Sequence, residues 1–250
     1  MFWLQPNTLV AVFLIFCRIG ACLMIVPGFS SARVSPSIRL FIALSLSLAL
    51  SPLLVAKVLP TVTQVTSAHL MFLIAAEILI GATIGFIGRV FIAALQTMGS
   101  FAAMSMNLSG MAGAPIEDSE PVPALVNLMT LTAITLIFIS GLHWQIIDGL
   151  VSSYSAVPPA MIIDAQDTLI QATDALREAF LLALRIASPF VIYAVVVNLA
   201  LGLTNKLTPQ IPVYFIAMPF VIAGGLFLMM FVIGEMMGIF VDHLSQVLSR

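Results

Sequence analysis

Several charged side chains fall inside otherwise apolar stretches of this 250-residue chain, among them Arg18, Glu77, Arg89, Arg185 and Glu235. A charge in that setting faces protein or water rather than hydrocarbon, because desolvating it is costly. Two chemistries suit such residues. One is a pathway for protons or ions. The other is pairing, within the chain or with a partner subunit. A relay needs Asp, Glu and His stacked at helical spacing, and no segment has them. The acids stand alone, so pairing is the expectation, with Arg18 and Glu77 as a candidate pair.

The remaining reactive residue types point to no reaction. His143 lies beside Trp144 in GLHWQ, where an interfacial anchor is the expected role. His69 and His243 are remote in sequence, and no cluster of acids or cysteines joins them as a metal site would require. Cys17 and Cys22 stand five residues apart in one apolar run, so on a helix they point in different directions and act as small buried hydrophobes. There is no GxxxxGK phosphate loop and no nucleophile elbow. The expectation is a protein that is not an enzyme, with no catalytic residues, no cofactor and no metal.

The elements that hold these residues are apolar. The chain is 61% hydrophobic and only 8% charged, whereas a soluble domain is about a quarter charged. Its mean hydropathy is +1.17. Such a chain cannot cover a water-facing surface and belongs in a membrane or inside an assembly. A net charge of -2 leaves no footprint for nucleic acid. Six long apolar segments are expected to be helices: Thr8–Val26, Ile38–Leu59, Ala68–Leu95, Val122–Ser140, Ala179–Leu203 and Val213–Val241. Helix is the fold that satisfies its own backbone in lipid. The first is expected to be retained rather than cleaved, since Met1–Asn7 has no basic start and Arg18 interrupts the run.

Prolines punctuate the connections. Pro27-Gly28 ends the first helix. Ser35-Pro36 opens the second, with Ser as N-cap and Pro at the first helical position. Pro60 follows it. The last helix is expected to become firm near Pro212. Arg33, Arg39 and Lys206 place the first and last turns on the cytoplasmic side, which for six spans puts both termini outside. Between Ile162 and Ala179, apolar residues recur at helical spacing opposite Asp164, Asp167, Gln171, Asp174 and Glu178, which reads as an amphipathic helix.

Two features suit packing and closure. Glu77, Gly81 and Gly85, with Gly88, share one side of a helix, and small residues at that spacing let backbones approach closely. Whether the seam is intramolecular or between subunits is open at this point. The uncharged stretch Met98–Gly113 carries Met98, Met104, Met106 and Met111 among glycine, serine and alanine. It is too polar for a span and too apolar for a water-facing loop. Its methionines suit either core filling or a deformable seal.

In order and spacing, these motifs resemble the FliR/SpaR/YscT family of type III secretion export-apparatus proteins, over essentially the whole chain. The elements are Phe16-Cys17-Arg18 with Pro27; Pro36, Arg39 and Pro52; Glu77 with Gly81 and Gly85; Phe138 with Gly141-Leu142-His143; Pro158; and Pro189. The most telling is Asn198 through Gly202, then Thr208-Pro209-Gln210-Ile211, Pro219 and Gly224-Gly225. Two departures stand out: Pro212 replaces the asparagine usual two residues after Pro-Gln, and Gly99-Ser100 replaces a Gly-Gln.

The resemblance implies an all-α, integral-membrane-type subunit buried in a hetero-oligomeric export gate of the bacterial inner membrane, in the flagellar basal body for the favoured flagellar branch. It implies a FliP-like part over 1–174 with a channel-facing loop near 98–121, and a FliQ-like helical hairpin over 175–250 turning near 205–212. The implied partners are FliP-like and FliQ-like gate subunits, FlhB-like and FlhA-like membrane components, and, transiently, the unfolded polypeptides being exported. The channel-closing loop maps to Met104, Met106, Asn107, Leu108, Ser109, Gly110 and Met111. Arg18, Glu77, Gly81, Gly85, Arg185, Asn198, Gly202, Pro209 and Gln210 map to helix packing or subunit interfaces. The alternatives are the virulence-injectisome homologue, a scaffold, and a secondary transporter. A transporter would place broken helices in matching halves, and Met98–Gly113 and Ala217–Gly225 do not match.

Overall fold

The computed structural model describes residues 5–31, 34–63, 66–110, 113, 122–159 and 165–248, without the side chains of 165–169 and 171. Within them the chain is all-α. The helices are α1 (Pro6–Ile25), α2 (Pro36–Val62), α3 (Ser67–Ser105), α4 (Ala124–Ile139), α5 (Leu142–Ala156), α6 (Ala165–Leu207) and α7 (Val213–Leu248). Arg33, Met111, Ile162 and Asp164, all used in the sequence reading, lie outside the described residues.

Helix boundaries follow local chemistry. Pro6 starts α1. Val26, extended before Pro27, ends it, and Gly28 takes φ +87° in the turn. Ser35 caps α2 by accepting from the Ile38 amide at 3.4 Å, with Pro36 at the first helical position. Pro60 does not follow α2 as expected. It lies inside the helix, which runs on to Val62. A helical proline leaves the carbonyl four residues earlier without its amide donor. Twice the preceding serine replaces that donor: Ser51 Oγ donates to Leu48 O at 2.8 Å beside Pro52, and Ser188 Oγ donates to Arg185 O at 2.8 Å beside Pro189.

Among the described residues, five helices are long and apolar enough to cross a membrane, and a sixth span exists if α4 and α5 count as one broken pair. The expected fourth segment is therefore different in kind. α4 has 16 residues, short of the ~20 a span needs, and Gly141 at φ +74° turns the chain into α5. The periodic acidic segment is helical from Ala165, but it continues without a break into the apolar part of α6. α3 and α6 have 39 and 43 residues. At ~1.5 Å per residue each outruns a hydrocarbon core of ~30 Å.

Two compact units form. The first is Met1–Phe91 with Gly141–Arg177 and Ser245–Arg250. Its core packs Ala11, Leu14, Ile15 and Ile19 of α1 with Ala43, Leu54, Val55 and Val58 of α2, Leu73 of α3 and Tyr154 of α5. The second is Ile92–Ser140 with Glu178–Leu244. Its buried residues include Leu95, Met98 and Ala102 of α3, Met129 and Ala133 of α4, Leu182 and Phe190 of α6, and Met229 and Phe240 of α7. Ile192, Val195, Val196 and Leu199 of α6, and Phe220, Phe227 and Phe231 of α7, stand exposed. Apolar rows of that size are covered by lipid or protein in a working molecule.

Candidate functional site

Two constellations stand out, one in each unit. In the first unit, Arg18 of α1 and Glu77 of α3 are both fully buried. Arg18 Nε donates to Glu77 Oε2 at 2.6 Å, and Nη2 donates to Oε1 at 2.8 Å. This is the fork-to-fork geometry that makes arginine–carboxylate pairs strong and directional. Two further bonds reach α5 and its end. Nη1 donates to Ser153 Oγ at 2.9 Å, and Nη2 also reaches Val157 O at 3.2 Å. The guanidinium carbon lies 3.9 Å from the centre of the Tyr154 ring, a cation–π contact. Ser153 Oγ in turn donates to Leu150 O at 2.7 Å.

Glycine makes this pair reachable. A methyl group added at Gly81 would overlap the Arg18 carbonyl oxygen, and one at Gly85 would lie 2.8 Å from Cys22 O. One at Gly88 would meet Pro27 Cδ at 3.2 Å. The seam is therefore intramolecular, between α1 and α3. The two side chains pair within the protein, and the arrangement is a tie between three helices.

In the second unit the root of the mid-chain loop is built from described residues. Met98 through Ser105, expected to be soft, are the last two turns of α3. Asn107 takes φ +58°, Leu108 N donates to Ala103 O at 2.8 Å, and Met106 N donates to Ala102 O at 3.1 Å. This is a Schellman-type helix stop, with asparagine in the left-handed position that glycine usually fills. The far stem is pinned as well: Gly113 N donates to Val122 O at 2.8 Å, and a methyl group at Gly113 would overlap the Asn127 amide. Met104 is 64% exposed, while Met106 is fully buried. Asn107, Ser109 and Gly110 are exposed.

The other residues singled out from the sequence are not gathered with either constellation. Arg185, Asn198, Gly202, Pro209 and Gln210 are exposed along α6 and the turn to α7. Asn198 Nδ2 donates to Ala194 O within its own helix at 2.8 Å, and nothing lies within 4 Å of a methyl group placed at Gly202. Cys17 and Cys22 are buried free thiols. Among the described residues no three His, Cys, Asp or Glu side chains group as metal ligands. The sequence reading missed Ser153, Tyr154 and Val157, because α5 was not separated as a helix of its own. The run Ser152–Ser155, unusually polar for this chain, was the available signal.

Comparison with known proteins decides the family. The model of the family described as bacterial export proteins, family 1, matches residues 9–247. The chain belongs to that family. Within it, the flagellar biosynthetic protein FliR of Caulobacter vibrioides is 28% identical over 236 residues, covering 94% of this chain and 93% of the relative. FliR of Escherichia coli is 28% identical over 212 residues, 85% of this chain and 80% of the relative. The Yop proteins translocation protein T of Yersinia pestis is 30% identical over 213 residues, 82% and 79%. Export-protein membership agrees with the apolar helices in making this a membrane-embedded component of secretion apparatus, as the resemblance read from its motifs implied.

Proposed function

We propose that this chain is a structural and gating subunit of the flagellar type III protein export gate, in the bacterial inner membrane at the basal body. The observation that carries the reading is the match to a flagellar relative over almost the full length of both chains. The coverage against the Yop translocation relative is smaller, which favours the flagellar branch. The proposed partners are FliP-like and FliQ-like gate subunits with FlhB-like and FlhA-like membrane components. The proposed division is a FliP-like part over 1–174 followed by a FliQ-like hairpin over 175–250.

In this reading Met104, Asn107, Leu108, Ser109, Gly110 and Met111 belong to the loop that closes the channel, and unfolded subunits thread past it. Met106 serves the loop differently, as its buried anchor. Arg18, Glu77, Gly81 and Gly85 hold the FliP-like part together, and Arg185, Asn198, Gly202, Pro209 and Gln210 belong to faces that neighbouring subunits cover.

The test is genetic and electrical. Deleting the gene from its host should abolish motility and secretion of filament subunits, and the intact gene should restore both. Flagella that persist while another secreted substrate is lost would replace the flagellar reading with the injectisome one. Removing Asn107–Gly110 should raise ion leak with the complex assembled. Unchanged leak in an intact complex would refute the closing role.

A further inference from the structure

The geometry points to Gly225 of α7 as the residue that sets the position of Asn107–Gly110, by forming the notch that seats Met106. This rests on the gating reading above only for its consequence, not for its geometry. Met106 is the first residue after α3, and its fully buried side chain lies against α7 at Gly225. A methyl group at Gly225 would overlap Met106 Cγ, and would stand 3.0 Å from Cβ and 3.1 Å from Sδ. Cβ and Cγ are the inner atoms of the side chain. Cβ is fixed by the backbone, and Cγ moves only if the whole buried side chain turns about χ1, so a methyl group at 225 would displace Met106 from its seat.

The backbone at Met106 has nowhere soft to move. Asn107 follows in the left-handed conformation, and Leu108 is bonded back to Ala103. A displacement at Met106 therefore travels as a rigid step into Asn107–Gly110. The neighbouring Gly224 is engaged separately. A methyl group there would meet Tyr193 Oη at 3.0 Å, and that hydroxyl donates to Val221 O at 2.5 Å. The Gly224-Gly225 pair thus takes α6 on one side and the loop root on the other. A shift of α7 along its axis would therefore press on Asn107–Gly110 through Met106.

The prediction is compensatory. In the assembled complex, the Ser109→Cys variant should react with a water-soluble maleimide slowly and reproducibly. Adding Gly225→Ala should change that rate about fivefold or more, because a methyl group in a filled notch forces its neighbours to shift. Adding Met106→Ala to Gly225→Ala empties the notch and should return the rate toward its starting value. Met106→Gly with Gly225→Ala, which removes both Cβ and Cγ, should do the same. The same three backgrounds, read by ion leak, should rise and fall in parallel.

Gly225→Ala leaving the labelling rate unchanged in an assembled complex would overturn the inference, as would a change that neither Met106 substitution relieves. Should Gly225→Ala prevent assembly, rescue of assembly by Met106→Ala is the expected result, and failure of rescue overturns the inference. Labelling that follows the compensation while leak stays flat would keep the notch and refute the gating reading instead.

Discussion

Arg18 and Glu77, separated by 59 residues in the chain, meet through two parallel hydrogen bonds of 2.6 and 2.8 Å with both side chains removed from solvent. Arg18 adds Ser153, Val157 and the Tyr154 ring to the same guanidinium. One side chain therefore joins α1, α3 and the end of α5. Removing either charge alone leaves the other buried without its partner, which costs about 3–5 kcal/mol. Arg18→Ala and Glu77→Ala should each lower the thermal midpoint of the detergent-solubilised chain sharply. Replacing both with apolar residues, as in Arg18→Met with Glu77→Leu, should recover most of the loss. Exchanging the two charges should rescue poorly, because a carboxylate at position 18 cannot donate to Ser153 or Val157. Full rescue by the exchange would show that the α5 contacts carry no weight.

The glycines separate into filled and open seams, and substitution should sort them. Gly81→Ala would drive a methyl group into the Arg18 carbonyl. Backbone cannot yield as a side-chain tip can, so the loss should be about 3 kcal/mol or more. Gly202 has open space, and Gly202→Ala in the isolated chain should be neutral or stabilising by up to ~1 kcal/mol through helix propensity. In the assembled complex, Gly202→Leu should block subunit association while the chain still accumulates. Thermal midpoints of the free chain and native-gel mobility of the complex read the two effects separately. An unhindered complex with Gly202→Leu would remove Gly202 from the interface.

The difference between those two glycines marks how far the sequence could be read. The helical class followed from composition, and the α2 start followed from Ser35 and Pro36, because capping is a local event. The Arg18–Glu77 pairing was legible as a possibility, since buried charges need partners. Its third arm was not. Ser153 and Tyr154 belong to α5, a helix of 15 residues that lies outside all six apolar segments. The extent of α3 was misjudged for a related reason. Small and polar residues at 98–105 look soft in a hydropathy window, yet Met98, Ala102 and Ala103 are buried and continue the helix. Periodicity reports which residues share a face, but not what stands opposite it.

Proline tolerance offers a local test. Ser51 and Ser188 each supply a hydroxyl to the carbonyl that the next residue, a proline, leaves without a helical donor. Ser51→Ala should destabilise by about 1 kcal/mol, the net worth of a typical hydrogen bond. The loss should vanish in a Pro52→Ala background, where the backbone amide returns to Leu48. The double-mutant cycle, measured as unfolding midpoints, gives the coupling directly. Additive effects would mean that the hydroxyl contributes nothing specific to the proline.

Arg185 and Glu235 carry charge on exposed positions of apolar helices. Neither can remain against hydrocarbon, where a charged side chain at mid-helix costs at least about 2.5–3.5 kcal/mol. In the export-gate reading, neighbouring subunits cover them. Arg185→Leu should then leave the amount of chain in the membrane unchanged or higher, since the free chain loses only an unfavourable charge. The assembled complex should fall about tenfold or more, because the partner group that met Arg185 becomes buried without its counter-charge. The ratio of complex to free chain on a native gel, with total chain measured in parallel, separates these outcomes. Equal losses of chain and complex would assign Arg185 to the fold of the subunit. A complex that forms normally would place it against water, and the face around it would no longer count as an interface.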